Sequence, residues 1–208
     1  MVDTAQIQTL LDRHFVLWGP VTYIDVDTGL VDVDGMVSLQ KRPRVKRLPV
    51  RFEHTGTFQC PNNSLTTLEG VPHSVRGSFA CNDNRLTSLA HSPSYVEGAF
   101  WCQRNQLKNL VGAPHSIGDD FVCVGNPLES LDGLPSEIEG LVRLDYDADL
   151  PLLRLLVAKR GVDWFSSKSK VPEPVKTILE KFKGQGQAAS LICATELADA
   201  GFKGNARW

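Results

Sequence analysis

The sequence predicts an α/β solenoid: a parallel sheet of short strands, one per coil, with a helix and hairpin capping the first coil and helices following the last. Three observations carry this. A block of 21 residues recurs in phase between residues 56 and 146. Each block holds an apolar pair spaced by two, the period of a strand that buries one face. Outside the block the apolar spacing becomes that of amphipathic helices.

The repeat is read first on glycine. Gly56-Thr-Phe58-Gln-Cys60 is followed by Gly77-Ser-Phe79-Ala-Cys81 and Gly98-Ala-Phe100-Trp-Cys102, then by Asp119-Asp-Phe121-Val-Cys123 and Gly140-Leu-Val142-Arg-Leu144. Other columns keep the step: Asn63, Asn84, Asn105 and Asn126; Leu65, Leu86, Leu107 and Leu128; Leu68, Leu89, Leu110 and Leu131; Pro72, Pro93, Pro114 and Pro135. Gly35, Val37 and Leu39 fit a degenerate opening block. One coil cannot bury its own apolar face, whereas stacked coils can. The asparagines fall where each coil leaves its strand, and an amide there can satisfy backbone groups that lose their ladder partners.

The run Phe-x-Cys-x-x-Asn-x-Leu resembles the leucine-rich repeat pattern L-x-L-x-x-N-x-L, with Phe and Cys in two leucine positions. The short step and the Leu-x-x-Leu-x-x-x-Pro back half are similar to the bacterial subtype. Blocks and tail also resemble leucine-rich proteins of bacteriophages and their hosts. The resemblance implies protein recognition, with a host or defence protein blocked as one outcome.

The row Cys60, Cys81, Cys102 and Cys123 admits four readings: metal site, disulfide frame, nucleophile series or core. A zinc site needs ligands converging on one point, usually as C-x-x-C pairs, and the chain has none. One cysteine per coil spreads the thiols over successive strands about 4.8 Å apart. The expectation is a core of small soft side chains beside the phenylalanines, with no metal and no cofactor. Cys193 is expected on an apolar helix face. Bacterial ubiquitin ligases with similar repeats use Cys-x-Asp in a large helical domain; here Cys193 precedes Ala-Thr-Glu.

The flanks are read next. Residues 3–15 form an amphipathic helix through Ile7, Leu10, Leu11 and Phe15. VTYIDVDTGLVDVDG reads as a β-hairpin. Its Asp25, Asp27, Asp32 and Asp34 do not have EF-hand spacing and are expected on a solvated strand face. LPLLRLLVAKRG, PEPVKTILEKFKG and QAASLICATELADAG read as three C-terminal helices. The divisions expected are 1–55, an N-terminal cap with the degenerate block; 56–146, the solenoid; and 147–208, a helical cap and tail.

With 42% hydrophobic residues and a net charge of −2 among 208 residues, the chain implies no global nucleic-acid or membrane field. The N-terminus lacks signal-peptide features, and the longest apolar run, residues 150–158, is too short to span a bilayer. A cytoplasmic protein is expected, in the host cytoplasm if phage-encoded. G-x-S-x-G, P-loop and H-E-x-x-H motifs are absent, so a non-enzymatic adaptor or inhibitor is expected rather than an enzyme.

Two surfaces are candidates. Trp101 lies between inward Phe100 and Cys102 and is expected to face outward with Gln103, Arg104, Asp120, Val122, Arg143 and Tyr146, a composition that suits a protein partner. The alternative is that a helix or terminal arm of the same chain covers it. The second is the basic segment Lys41, Arg42, Arg44, Lys46, Arg47 and Arg51, which can hold phosphates, an acidic protein or only solvent. It lacks the interleaved aromatics of single-strand binders.

Overall fold

The structure is a computed structural model that describes residues 3–39, 44–164 and 170–207. It begins with helix α1 (Thr4–His14), capped by the Asp3 carboxylate, which accepts from the backbone N–H groups of Ala5 and Gln6. Strands β1 (Phe15–Trp18) and β2 (Val21–Ile24) both run antiparallel to β3 (Leu30–Leu39). The expected hairpin is therefore β2–β3. β3 is also the first solenoid strand, since Val37 pairs in parallel with Phe58 of β4 (Arg51–Gln59).

From β4 the chain winds as a parallel-sheet solenoid of about 21 residues per turn. Each coil adds one short strand to each of two rows. The second row holds β5 (Ser74–Val75), β7 (Tyr95–Val96), β9 (Ser116–Ile117) and β11 (Glu137–Ile138). The main row holds β6 (Phe79–Ala80), β8 (Phe100–Trp101), β10 (Phe121–Val122), β12 (Val142–Leu144) and finally β13 (Val162–Trp164). The return path of each described coil is thus turns and a two-residue strand, and among the described residues helices lie only before β1 and after β12. The α/β expectation holds at the coarser level of a parallel-sheet solenoid with few helices.

The inner face of the main row explains the stacking. Phe58, Phe79, Phe100 and Phe121 are fully buried, with ring centroids 5.8, 5.3 and 5.8 Å apart along the axis. Each such ring contributes roughly 1.5–3 kcal/mol by leaving water. Cys60, Cys81, Cys102 and Cys123 are buried two residues on, and Leu65, Leu86, Leu107, Leu68, Leu89 and Leu110 close the interior from the other side.

The asparagine column forms a hydrogen-bonded ladder. Asn105 Nδ2 donates to the carbonyls of Cys81 and Cys102, both at 3.0 Å, and its Oδ1 accepts from Leu86 N–H at 3.0 Å. Asn84 and Asn126 repeat the pattern one coil on either side. A second column, Gly70, His91, Gly112 and Gly133, has φ of 94°, 67°, 91° and 83°. Glycine is required at 112, where a Cβ would meet Ala90 N at 2.5 Å. His91 is the one non-glycine in the column and occupies the left-handed region at a steric cost.

Of the three expected C-terminal helices, two form: α2 (Glu173–Phe182) and α3 (Ser190–Asp199). The first shrinks to a 3₁₀ turn at Leu153–Val157. Its apolar residues occur almost without interruption, so Leu153, Leu155 and Leu156 are all buried and no polar face remains. α2 and α3 pack on each other and on this turn, while α1 packs on β1. No helix among the described residues is long and apolar enough to cross a membrane.

Two stability tests follow. In urea titrations Asn105→Ala loses about 3 kcal/mol or more, because three buried backbone groups lose their partners, while His91→Gly gains about 1 kcal/mol by relieving the left-handed residue. His14 supplies the second. It is buried at the end of α1, its Nδ1 finds no hydrogen-bond partner among the described residues, and burial, aided by the Arg13 charge, holds its imidazole below the usual value. The unfolded chain therefore binds the proton more readily, so this contribution is complete above about pH 6.5 and is lost as pH falls below it. Thermal denaturation between pH 7 and 5 shows a decline that His14→Phe flattens.

Candidate functional site

The outer face of the main sheet is built by register. One row crosses eight strands: Val16, Ser38, Gln59, Ala80, Trp101, Val122, Arg143 and Asp163. A neighbouring row begins Trp18, Met36 and Thr57. Because Phe100 and Cys102 point inward, Trp101 must point outward, and it is partly exposed. Ala80 and Val122 on either side are 4% and 7% exposed, so both side chains are covered although they lie in the outward row.

The charged groups on this face are paired with one another. Arg104 reaches back one coil to Asp83, with Nε 2.5 Å from Oδ1 and Nη2 2.7 Å from Oδ2. The guanidinium holds the Asp83 carboxyl below its usual range, and Arg104 is shifted up by the same hydrogen bond. Arg143 lies between Asp120 at 3.0 Å and Asp163 at 2.9 Å. Asp120 also accepts from Leu141 N–H at 2.9 Å. Arg104 stands in a column of left-handed residues, Asn62, Asp83, Arg104 and Gly125, with φ of 56°, 57°, 53° and 71°. That turn aims the arginine along the solenoid axis toward the preceding coil rather than into solvent alone.

The predicted residues are partly reunited. Trp101, Gln103, Arg104, Asp120 and Arg143 share the outer face. Val122 lies there too but is nearly covered. Tyr146 does not share it as an exposed group: it is 8% exposed, its hydroxyl donates to Asn205 Oδ1 at 3.0 Å, and its ring meets Trp164 edge-on at 5.8 Å. The repeat placed it in the Arg104 column, but the C-terminal tail covers that position. Gln103 keeps a buried Oε1 with no partner among the described residues.

Trp18 and Val16, 54% and 41% exposed, extend the face and were not singled out from sequence. The signal was present in FVLW, whose alternate residues Val16 and Trp18 point one way while Phe15 and Leu17 point inward. What hid it was that residues 16–20 fall between the helix read over 3–15 and the hairpin read from Val21, and were given no element.

Of the basic segment, Lys41 and Arg42 lie outside the described residues. Arg44, Lys46 and Arg47 are exposed, and Arg47 faces Glu69 at 4.0 Å. Arg51 Nη2 donates to the Thr28 carbonyl at 2.7 Å and so secures the hairpin turn. The hairpin aspartates are also engaged. Asp25 accepts from Asp27 and Thr28 N–H, Asp32 lies 3.3 Å from His54 Nδ1, and Asp34 lies 3.8 Å from Arg76. No group of three or more His, Cys, Asp or Glu suited to a metal occurs among the described residues.

Burial pushes the thiols of Cys60, Cys81, Cys102 and Cys123 well above the ordinary range, and that of Cys193 to about 11. Such thiols are poor nucleophiles at neutral pH. Comparison with family models, curated proteins and solved structures finds no match to the chain.

Native protein treated with iodoacetamide at pH 7.5 is expected to leave all five cysteines unmodified, and the same protein in denaturant to label all five. Rapid native labelling of Cys193 would point instead to a reactive thiol.

Proposed function

We propose that the chain is a non-enzymatic binding module of the leucine-rich repeat type, an adaptor or inhibitor that takes a protein partner on its outer sheet face around Trp101. The observation that carries this reading is the partly exposed indole on the outer face of the sheet, paired in register with the covered positions Ala80 and Val122. Exposed tryptophan on ordered backbone costs little entropy to bury and is the side chain most enriched among binding hot spots.

The surrounding ion pairs support it further. Arg104 pairs with Asp83, and Arg143 with Asp120 and Asp163, so each is partly pre-ordered on the face that carries the indole. Pre-ordered side chains lose less freedom on association. The likeness of the blocks to phage proteins makes a host or defence protein the natural partner to seek. The basic segment presents less free charge than its composition implies: Arg51 is engaged within the fold and Arg47 is near Glu69.

The test is affinity capture from host lysate with wild-type and Trp101→Ala protein, followed by binding measurements on the captured protein. Loss of a central indole is expected to weaken binding about thirtyfold or more. Arg104→Ala is expected to cost less, since its charge is already satisfied by Asp83. Equal capture and equal affinity of wild type and Trp101→Ala would exclude this face.

A further inference from the structure

The last coil is closed by a segment far away in the chain. Asn205 is 1% exposed, although it sits three residues from the C-terminus. Its Oδ1 accepts from the Tyr146 hydroxyl at 3.0 Å, and its Nδ2 donates to the carbonyls of Asp147 at 3.1 Å and Leu150 at 2.9 Å. The backbone joins in. Leu152 N–H donates to Asn205 O at 3.1 Å and Leu153 N–H to Arg207 O at 3.3 Å. Arg207 Nη2 donates to Asp149 O at 2.5 Å. Gly204 passes so close that a Cβ there would sit 2.6 Å from Ala148 O.

This arrangement replaces a missing member of the asparagine ladder. One step beyond Asn126 the column holds Asp147, whose carboxylate cannot donate to carbonyls. Asn205 brings an amide to the carbonyls of that turn from the tail instead.

The attachment differs in kind from what joins the other coils. Those share fully buried Phe and Leu rows. The tail is held by a polar cluster around one asparagine, and its apolar residues Phe202 and Ala206 are only partly buried. The segment it grips is exposed at Asp147, Ala148 and Asp149 and buried at Leu150, Leu152 and Leu153, so the contact runs along the edge of the core. Segments with few buried apolar contacts open at lower free energy than the core.

We infer that residues 202–207 form a strap that opens and closes on the last coil independently of the remaining coils, and that in doing so it covers and uncovers Tyr146. Closed, the strap keeps the tyrosine against Trp164. Open, it frees the hydroxyl and gives the ring access to solvent in the column of Arg104 and Gly125, at the border of the Trp101 face. The strap thus controls how far that face extends toward the C-terminus.

The experiment is residue-resolved amide hydrogen exchange on the full chain, with tyrosine nitration by tetranitromethane as a second readout. In the wild type, Leu152 and Leu153 amides are expected to exchange faster than those of Phe100 and Cys102. Asn205→Ala is expected to speed Leu152 and Leu153 about thirtyfold, leave Phe100 and Cys102 unchanged, and raise nitration of Tyr146 alone among the three tyrosines. Tyr146→Phe, which removes a single hydrogen bond, is expected to give an increase of several-fold at the same amides. Equal exchange at all four amides in the wild type, or uniform acceleration in Asn205→Ala, would overturn the independent strap and make the tail a plain part of the global fold.

Discussion

Every coil of this protein is too thin to have an interior of its own, and that constraint organises the molecule. A strand carrying one phenylalanine and one cysteine inward gains stability only when an identical strand lies beside it in register. The rings 5.3–5.8 Å apart and the buried thiols beside them are the consequence. The same register dictates the outside. Whatever stands between Phe and Cys must point outward, so Trp101 faces away from the core for the reason that Phe100 faces into it.

Backbone satisfaction is the second condition. Where each coil turns off its strand, carbonyls lose their sheet partners, and one asparagine per coil recovers them by bonding to two coils at once. Where the repeat ends, the need persists although the column no longer holds asparagine. The chain answers from its tail with Asn205. At the other end, among the described residues, Asn63 bonds to the Pro61 carbonyl and its Oδ1 finds no partner. Asn84, Asn105 and Asn126 each bond across two coils, and the ends are where the fold departs from its repeat.

Legibility in the sequence follows the same division. The solenoid, its step, its inward columns and the outward Trp101 could all be read, because stacking forces side chains of one column into one environment. Helices α1, α2 and α3 were readable from their apolar spacing. The stretch 153–157 was not, because leucines at nearly every position fit a buried 3₁₀ turn as well as a helix. The burial of Tyr146 was also beyond reach, since its partner Asn205 lies 59 residues away with no periodic relation to it. The site was legible as a face but not in its charge pairing. That Arg143 would be shared by Asp120 and Asp163 depends on where β13 joins the sheet, and β13 lies outside the repeat.

A coil is a unit of 21 residues joined to its neighbours by in-register stacking and the asparagine ladder. Excision of one complete unit, residues 84–104, tests this most directly, since it fuses Asp83 to Asn105 and restores every column. A cooperatively folded protein is expected, with lower stability and a smaller urea m-value, because less surface is buried. Excision of 85–104, one residue fewer, is expected to prevent folding, since every later inward side chain is displaced. Equal folding of the two deletions, or folding of neither, would rule out stacking by whole units.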